Sequence, residues 1–251
     1  MARRIRLDTL VVERGLTSTR ARARALVLAG QVRVDDVMRL KAGELVSADA
    51  RVTLLEPIHP YVGRGGIKLA HALDTFGIMV RDRVVLDIGA STGGFTDVAL
   101  RRGAAKVAAL DVGHGQLEWK LRQDSRVTAL ERINARWLRP DQLPPAFRRV
   151  DLVTIDVSFI SLALILGVVP PVLAKHGDLI TLVKPQFEAG RAEVGKRGVI
   201  TDPAVHTRVV NEVIAAADGV GLTQVAVTPS PISGAEGNKE FLLHLRHAAR
   251  R

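Results

Sequence analysis

The chain has 251 residues, with 36 lysines and arginines against 26 aspartates and glutamates, for a formal charge of +10. This basic excess favours a polyanionic partner, nucleic acid before an anionic membrane surface, with a basic surface that has no such partner as the alternative. The sequence contains no cysteine, which excludes disulfides, cysteine-ligated zinc and every mechanism that needs a cysteine nucleophile.

The first part of the chain predicts two short helices followed by strands. Apolar residues on one face predict a helix over residues 7–14. Thr17 or Ser18 then caps a second helix that runs to Leu28. Alternation of apolar and polar residues predicts strands at 31–35 and 50–55, with a turn at Asp35-Asp36.

The second helix places two arginines on one face. Arg20 and Arg24 lie four residues apart, and like charges at that spacing cost about 0.2–0.5 kcal/mol unless an anion lies between them. A solvated helix face is the alternative to an anion-binding face. Further arginines add to the basic field: Arg3, Arg4, Arg6, Arg22 and Arg33.

Three short motifs in this part resemble an RNA-binding module. They are Arg6-Leu-Asp8 followed by Leu10, Gly15-Leu-Thr-Ser-Thr-Arg20, and Ala29-Gly-Gln-Val-Arg-Val-Asp35. The module is the S4-like domain, named after the fourth protein of the small ribosomal subunit. The resemblance implies that arginines hold phosphates of folded RNA without reading its bases. The residues we expect to bind RNA are Arg3, Arg4, Arg6, Arg20, Arg24 and Arg64.

A domain boundary follows in the stretch Glu56-Pro-Ile-His-Pro60, because its two prolines favour extended chain. We therefore predict an RNA-binding domain at 1–58, a linker at 59–64 and a larger domain at 65–251. The larger domain alternates strand and helix candidates, which predicts an α/β fold with a doubly wound, mostly parallel, Rossmann-like sheet after a small α+β domain.

The strand candidates of the larger domain are 84–88, 107–111, 127–130, 150–156, 179–184, 223–228 and 241–245. Among the helices between them, one begins at Asp202-Pro203 and runs to about Ala217. Ligands of such sheets bind outside the carboxyl ends of the strands. Residues that end these strands are therefore the candidates for chemistry.

A glycine turn after the first of these strands indicates a nucleotide-like ligand. Dinucleotide sites use Gly-x-Gly-x-x-Gly around a pyrophosphate, whereas this turn has Gly89, Gly93 and Gly94 behind the carboxylate of Asp87. That arrangement suits a ligand with positive charge and no phosphate, such as S-adenosylmethionine. Asp111 ends the next apolar run, where an acid accepts ribose hydroxyls. A glycine turn without a ligand is the alternative; the full set of expected cofactor contacts is Asp87, Gly89, Ser91, Gly93, Gly94, Phe95 and Asp111.

One stretch, residues 157–174, carries no charge and is long enough to be compared with a membrane span. It contains two serines and the pair Pro170-Pro171, and Asp156 precedes it. We expect a buried helix behind a strand here. The charged start of the chain is unlike a signal peptide, and we expect a cytoplasmic protein without stable membrane association.

Two charged residues end apolar strand candidates. Asp156 follows Leu-Val-Thr-Ile, and Lys184 follows Leu-Ile-Thr-Leu-Val. A lysine at the end of a buried run needs a partner, and burial favours its neutral form, which can act as a general base. Lys68 and Glu240 are distant in sequence, so spacing alone does not group them with this pair.

The complete chain resembles the TlyA (hemolysin A) family of FtsJ-like ribose 2′-O-methyltransferases. Lys68, Asp156, Lys184 and Glu240 match the Lys–Asp–Lys–Glu tetrad of FtsJ-like enzymes. The other matching motifs are Arg64-Gly-Gly-x-Lys-Leu, Asp87-x-Gly-x-Ser-x-Gly-Gly-Phe-Thr, Asp156-Val-Ser-Phe-Ile-Ser, Val183-Lys-Pro-Gln-Phe-Glu and Gly237-Asn-x-Glu-Phe. The resemblance implies transfer of a methyl group from S-adenosylmethionine to cytidine 2′-hydroxyls of 16S and, in many members, 23S ribosomal RNA.

The resemblance also implies a role for each tetrad residue. Lys184 is the base or proton relay for the 2′-hydroxyl, Lys68 and Asp156 orient it, and Glu240 positions the ribose. Alternatively, Asp156 and Lys184 form a buried structural ion pair and Glu240 is a solvated strand end, with Glu236 as a rival for its role. No metal is expected.

Three other functions stay open at this stage. Methylation of exocyclic amines usually uses Asn/Asp-Pro-Pro-aromatic, where this chain has Asp156-Val-Ser-Phe, and the usual route to pyrimidine C5 needs cysteine. A non-catalytic RNA-binding or ribosome-assembly factor would keep the fold without the chemistry. A membrane-active haemolysin would depend on the uncharged stretch at 157–174.

Overall fold

In the computed structural model of the chain, the described residues are 3–17, 19–28, 30–55, 59–190, 193–195, 198–234 and 237–248. Internal contacts divide the chain into two units, Met1–Arg64 and Gly65–Arg251. The predicted linker at 59–64 stays a prediction. Residues 56–58, which carry part of the predicted boundary, lie outside the described residues, as do Ser18 and Glu236.

The N-terminal unit combines two helices with short antiparallel strands. Its elements are β1 (Arg4–Arg6), α1 (Leu7–Glu13), α2 (Arg20–Leu28), β2 (Val32–Val34), β3 (Val37–Met38), β4 (Leu45–Ser47) and β5 (Val52–Leu54). Strand β1 pairs with β4, and the order of the other three is β3-β2-β5. Leu7, Leu10 and Val11 of α1 are buried on one face, as their spacing predicts, in a core that belongs to this unit.

The start of α2 differs from the prediction. Helix α2 begins at Arg20, and its cap is Thr19, whose Oγ1 accepts a hydrogen bond of 3.2 Å from the backbone N–H of Arg22. Thr17 is therefore not the cap. The chain offers three consecutive capping residues here, and propensity alone does not choose among them. The predicted turn at Asp35-Asp36 is confirmed, with positive φ at both residues, as in tight hairpins.

The C-terminal unit alternates strands and helices. Its strands are β6 (Val84–Ile88), β7 (Lys106–Asp111), β8 (Val127–Glu131), β9 (Val150–Ile155), β10 (Leu173–Val183), β11 (Leu222–Pro229) and β12 (Phe241–His247). Its α-helices are α3 (Gly65–Phe76), α4 (Gly94–Arg101), α5 (Trp119–Arg122), α6 (Pro185–Glu188) and α7 (Pro203–Gly219). All seven predicted strands are present in one sheet, which confirms the predicted fold class.

The strand order β11-β12-β10-β9-β6-β7-β8 determines where a ligand can bind. The strands β10-β9-β6-β7-β8 run parallel, and β12 is antiparallel to both of its neighbours. Strand β6 lies between β7 and β9, so the winding of the chain reverses between β6 and β9. A crevice forms at such a reversal. The residues directly after these two strands, Gly89 and Asp156, lie at its edge.

The expected helix in the uncharged stretch 157–174 is wrong. This stretch forms two 3₁₀ turns, Leu162–Leu164 and Leu166–Val168, and β10 already begins at Leu173. Gly167 and the pair Pro170-Pro171 disfavour a continuous α-helix. In the part of the chain that the structure describes, no helix is both long and apolar enough to cross a membrane.

Candidate active site

The glycine turn lies where the backbone of two strands converges. Gly89 has φ +84°, and a Cβ added there would lie 2.4 Å from the carbonyl oxygen of Asp156. Gly93 has φ +98°, and a Cβ there would lie 2.3 Å from Leu121 Cδ1. Any side chain would therefore displace the turn, which explains both glycines. The turn leads directly into α4 at Gly94.

Asp111 fastens the glycine turn to the next loop. Its Oδ2 accepts a hydrogen bond of 2.8 Å from the Ser91 backbone N–H, and its Oδ1 accepts one of 2.7 Å from Gly113. Asp111 is thus at the predicted place, beside the glycines. Each oxygen keeps a further lone pair, so the carboxylate can accept a ligand hydroxyl in addition to the backbone bonds. Its contact with a cofactor ribose stays a prediction.

Asp87 points into the protein interior. It is 1% exposed, and its two oxygens accept hydrogen bonds from Thr96 Oγ1 at 2.7 Å and Thr154 Oγ1 at 2.8 Å. Burial raises the pKa of the Asp87 carboxyl to about 6, against the opposing effect of both hydroxyls. Through these bonds Asp87 joins β6, β9 and α4 beneath the turn. A direct cofactor contact of Asp87 stays a prediction.

Asp156 and Lys184 meet at the carboxyl ends of neighbouring strands. Lys184 Nζ lies 2.5 Å from Asp156 Oδ1, and it donates a hydrogen bond of 3.0 Å to Ser158 Oγ. The lysine side chain is only 9% exposed. Two oxygen atoms therefore hold a nearly buried amine in one direction, which is the arrangement expected of a positioned proton acceptor or donor.

Lys68 and Glu240 form a second buried pair. Lys68 Nζ contacts Glu240 Oε2, and both residues are buried although 172 positions separate them. Helix α3 connects the Lys68–Glu240 pair with the Asp156–Lys184 pair. It carries Lys68, and its first residue, Gly65, lies beside Asp156, since a Cβ on Gly65 would be 3.6 Å from Asp156 Oδ2. The structure thus brings the four predicted residues to one end of the sheet.

Several residues near the tetrad were missed by the sequence analysis. Ser158 is one: it lies in the matching motif Asp156-Val-Ser-Phe-Ile-Ser, but the motif does not show that its hydroxyl reaches Lys184. Phe159 is another: it is 90% exposed, has a positive φ of 65°, and lies 4.9 Å from Phe187 between ring centroids. Positive φ at a bulky residue is strained, and such strain clusters at functional sites.

Glu188 holds the loop that carries Ser158. It accepts hydrogen bonds from Ser161 Oγ at 2.6 Å and from the Leu162 backbone N–H at 2.8 Å. Burial raises the pKa of its carboxyl. The loop after β9 is thereby tied to α6, which directly follows Lys184. Besides the ion pair, the bonds of Glu188 therefore hold together the two loops that carry Asp156 and Lys184.

In the N-terminal unit, a buried carboxylate organises part of the arginine cluster. Asp8 accepts hydrogen bonds from Arg6 at 3.0 and 2.8 Å and from Arg20 at 3.3 Å. The Arg6 hydrogen bond is the main cause that lowers the pKa of Asp8 to about 2. Both guanidinium groups stay about half exposed, so the pairing orients them without removing them from solvent. The other arginines expected to bind RNA are also exposed: Arg3, Arg4, Arg24 and Arg64.

Comparisons with known proteins agree with this architecture. Residues 61–247 match the model of the FtsJ-like methyltransferases, and residues 5–52 match that of the S4 domain. The chain is 47% identical over 247 residues to the 16S/23S rRNA (cytidine-2′-O)-methyltransferase TlyA of Mycobacterium tuberculosis, which covers 98% of this chain and 91% of the relative. The chain belongs to the TlyA family of FtsJ-like methyltransferases.

Other relatives of this TlyA-family protein carry a different name. Hemolysin A of Brachyspira hyodysenteriae is 41% identical over 96% of this chain and 99% of its own. A solved structure from Streptococcus thermophilus, also named as a hemolysin, is 42% identical, with a TM-score of 0.76 over 99% of this chain and 90% of that one. An S-adenosylmethionine-dependent methyltransferase from Listeria monocytogenes, at 19% identity and a TM-score of 0.54, shares the fold.

Proposed function

We propose that this chain transfers a methyl group from S-adenosylmethionine to the ribose 2′-hydroxyl of a cytidine in ribosomal RNA. The observation that carries the proposal is the convergence of Lys68, Asp156, Lys184 and Glu240 beside the glycine turn. Relatives named as rRNA (cytidine-2′-O)-methyltransferases support the reaction and the substrate class. In this proposal the substrate is 16S RNA, with 23S RNA as a second substrate, as in the name of the Mycobacterium relative.

S-adenosylmethionine fits the residues around the glycine turn. Gly89 and Gly93 let the turn pack closely against Asp156 and Leu121, which holds it at the carboxyl end of β6, where ligands of such sheets bind. Asp111 would hold the ribose hydroxyls, and Ser91, Gly94 and Phe95 belong to the same turn and to the helix that follows it. When bound, the cofactor supplies an electrophilic methyl group on a sulfonium.

In the proposed mechanism, Lys184 removes the proton of the 2′-hydroxyl as the oxygen becomes nucleophilic. For this its amine must be neutral, and the contacts with Asp156 and Ser158 set its direction. The Lys68–Glu240 pair fixes the ribose from the other side. A displacement of this kind depends on alignment of the oxygen with the transferred carbon and on exclusion of water.

The N-terminal unit supplies the RNA affinity in this proposal. Asp8 orients two of its exposed arginines, Arg6 and Arg20, and phosphate contacts from arginines position a protein on folded RNA. The working partners are ribosomal RNA and ribosomal subunits. A substrate of this kind would place the enzyme in the cytoplasm.

Mass spectrometry of ribosomal RNA from cells with and without the protein tests the proposal. We expect at least one cytidine to carry a methyl group on its ribose only when the protein is present. Restoring the wild-type gene, but not a Lys184→Ala variant, should return the modification. Identical RNA in both strains, or a methyl group on a base, would overturn the proposal.

A further inference from the structure

A cleft of about 460 Å³ opens beside the tetrad in the C-terminal unit. Its walls come from the start of α7, the turn after β11 and the start of β12. Glu240 belongs to the cleft lining as well as to the Lys68 pair, so the cleft adjoins that pair. The volume falls within the range of small-molecule sites, roughly 300–1,000 Å³.

The lining is apolar and aromatic with a few polar groups. Pro229, Pro231 and Phe241 provide flat apolar surface, and the ring of His206 lies 5.8 Å from that of Phe241 between centroids. The hydroxyl groups of Thr207 and Ser230 donate to backbone carbonyls and leave acceptor lone pairs, and the exposed Lys239 adds one cation. A flat heterocycle with a sugar and a phosphate matches this combination, because bases stack on apolar and aromatic surfaces while lysine contacts the phosphate.

The occupant is a different nucleotide from the one that reacts. The reacting ribose has to lie at Lys184, which is not part of the cleft lining. A nucleoside that fills the cleft therefore has its own ribose there. Because Glu240 belongs to both places, the two nucleotides are next to each other along the RNA.

We propose that this cleft binds the nucleotide adjacent to the methylated cytidine and so contributes to the choice of target. The proposal rests on the proposed function, because it takes an RNA strand at the tetrad as given. The turn after β11 is well placed for this role: Ser230 Oγ donates a hydrogen bond of 2.7 Å to the Ile232 carbonyl oxygen, and the Ser230 backbone N–H donates one of 2.8 Å to the Glu240 carbonyl oxygen. A shift of the turn would therefore be transmitted to Glu240.

The test combines base deletion in the RNA with filling of the cleft. Once mass spectrometry has located the methylated cytidine, model RNAs are made with an abasic nucleotide at that position or at either neighbour. We expect one neighbouring abasic site to lower kcat/KM about tenfold or more, as expected for the loss of a stacked base. Ile232→Trp should lower kcat/KM of intact RNA similarly, yet have little further effect on that abasic RNA, because both changes remove the same contact.

Val225→Trp is the matched control for Ile232→Trp, since Val225 is exposed on β11 outside the cleft. Its kcat/KM should equal that of the wild type, and all variants should keep wild-type S-adenosylmethionine affinity and melting temperature. Additive effects of Ile232→Trp and the neighbouring abasic site would overturn the proposal. Non-additivity with the abasic site at the methylated position instead would also overturn it, because the cleft would then hold the target base itself.

A charge variant tests the cleft without filling it. Lys239→Ala should raise KM for RNA and reduce the salt dependence of RNA binding, with kcat at saturating RNA unchanged. Lys175 is an exposed lysine outside the cleft, so Lys175→Ala should change neither KM nor the salt dependence. An unchanged KM in Lys239→Ala would contradict the proposal. RNA that accepts no methyl group from the wild-type enzyme would instead contradict the proposed function.

Discussion

Lys184 ends a buried strand with its amine held between two oxygen atoms, those of Asp156 and Ser158. Asp156 and Lys184 could be selected as candidates from the sequence, because charged residues at the ends of apolar runs are unusual. Their partnership with Lys68 and Glu240 could be predicted only from family resemblance, since the contact spans 172 positions. Ser158 could not be predicted, because its role exists only through its distance from Lys184.

Replacement of Lys184 tests the proposed base. Lys184→Ala should lower kcat by about 10²–10⁴-fold, because general-base assistance is lost. Cofactor affinity, measured by calorimetry, should survive, since Lys184 lies outside the glycine turn. Lys175→Ala, on the exposed surface, serves as the matched control and should keep full activity. Substantial residual turnover in Lys184→Ala would show that another group takes the proton.

Replacement of Asp111 tests the cofactor loop. Asp111→Ala should weaken S-adenosylmethionine binding by about 1–3 kcal/mol, because it removes an acceptor for the ligand and for the Ser91 and Gly113 amides. Asp141→Ala, which removes an exposed carboxylate from a 3₁₀ turn, should have no effect. Calorimetry decides between the outcomes; equal affinity of Asp111→Ala and wild type would mean that the ribose contact lies elsewhere.

At the scale of elements, helices and strands could be predicted where local sequence patterns determine them, and not where contacts with distant segments do. The five inner strands of the large sheet were found because strands buried on both faces appear as continuous apolar runs, whereas the edge strands β8 and β11 are partly exposed and were found as shorter apolar or alternating runs. The helix over 157–174 was wrong, since Ser161 and Glu188 instead stabilise a short 3₁₀ turn through contacts with a distant segment. Strands β1 and β4 have three residues each and pair across about 40 positions, so no local pattern reveals them.

An ion cluster at the opposite end of the sheet leads to a prediction about pH. Asp178 of β10 is 1% exposed and accepts bonds of 2.6 Å from both Arg83 and Arg246, while His244 Nε2 lies 2.8 Å from it. These partners hold the pKa of Asp178 well below its ordinary value, against the opposing effect of burial. The stability that Asp178 contributes to the fold is therefore fully present above the pKa of aspartate in the unfolded chain, about 3.9. This contribution is lost as the pH falls below that value towards the pKa of Asp178 in the folded protein.

Asp178→Asn should accordingly lower the free energy of unfolding at pH 7 by about 3 kcal/mol. This is the lower end of the range for breaking a buried ion pair, and we expect it because both arginines are partly exposed. Urea denaturation at several pH values measures the difference, which should shrink below about pH 4. Asp141→Asn removes a carboxylate from an exposed ion pair and should leave the free energy of unfolding nearly unchanged at every pH. A pH-independent difference for Asp178→Asn would contradict the assignment.

At the scale of the whole molecule, the formal charge of +10 is shared equally, with +5 in residues 1–64 and +5 in residues 65–251, while the proposed roles are divided between the two units. The N-terminal unit has its own core and presents arginines, and the C-terminal unit carries the tetrad. Composition alone indicated a polyanionic partner, but it could not distinguish RNA from a membrane. That distinction comes from the S4 domain match and from relatives named as rRNA methyltransferases.

Arginine variants in the N-terminal unit test this division. A double variant that combines Arg20→Ala with Arg24→Ala should bind RNA more weakly. The slope of log affinity against log salt concentration should fall in magnitude by about 1–2, because phosphate contacts are lost. Cofactor affinity should stay at the wild-type value. Arg126→Ala, an arginine held by Asp124 in the C-terminal unit, is the charge-matched control. A slope equal to that of wild type would mean that these arginines do not contact phosphate.

The most direct test of the proposed reaction uses RNA that lacks one oxygen atom. A ribose methyltransferase needs the 2′-hydroxyl, whereas a base methyltransferase needs only the base. With 2′-deoxycytidine at the target position, RNA binding should be nearly unchanged, because shape and phosphates supply most contacts, yet no methyl group should be transferred. Methylation of this deoxy RNA at the normal rate would contradict ribose methylation and make the base the site of transfer.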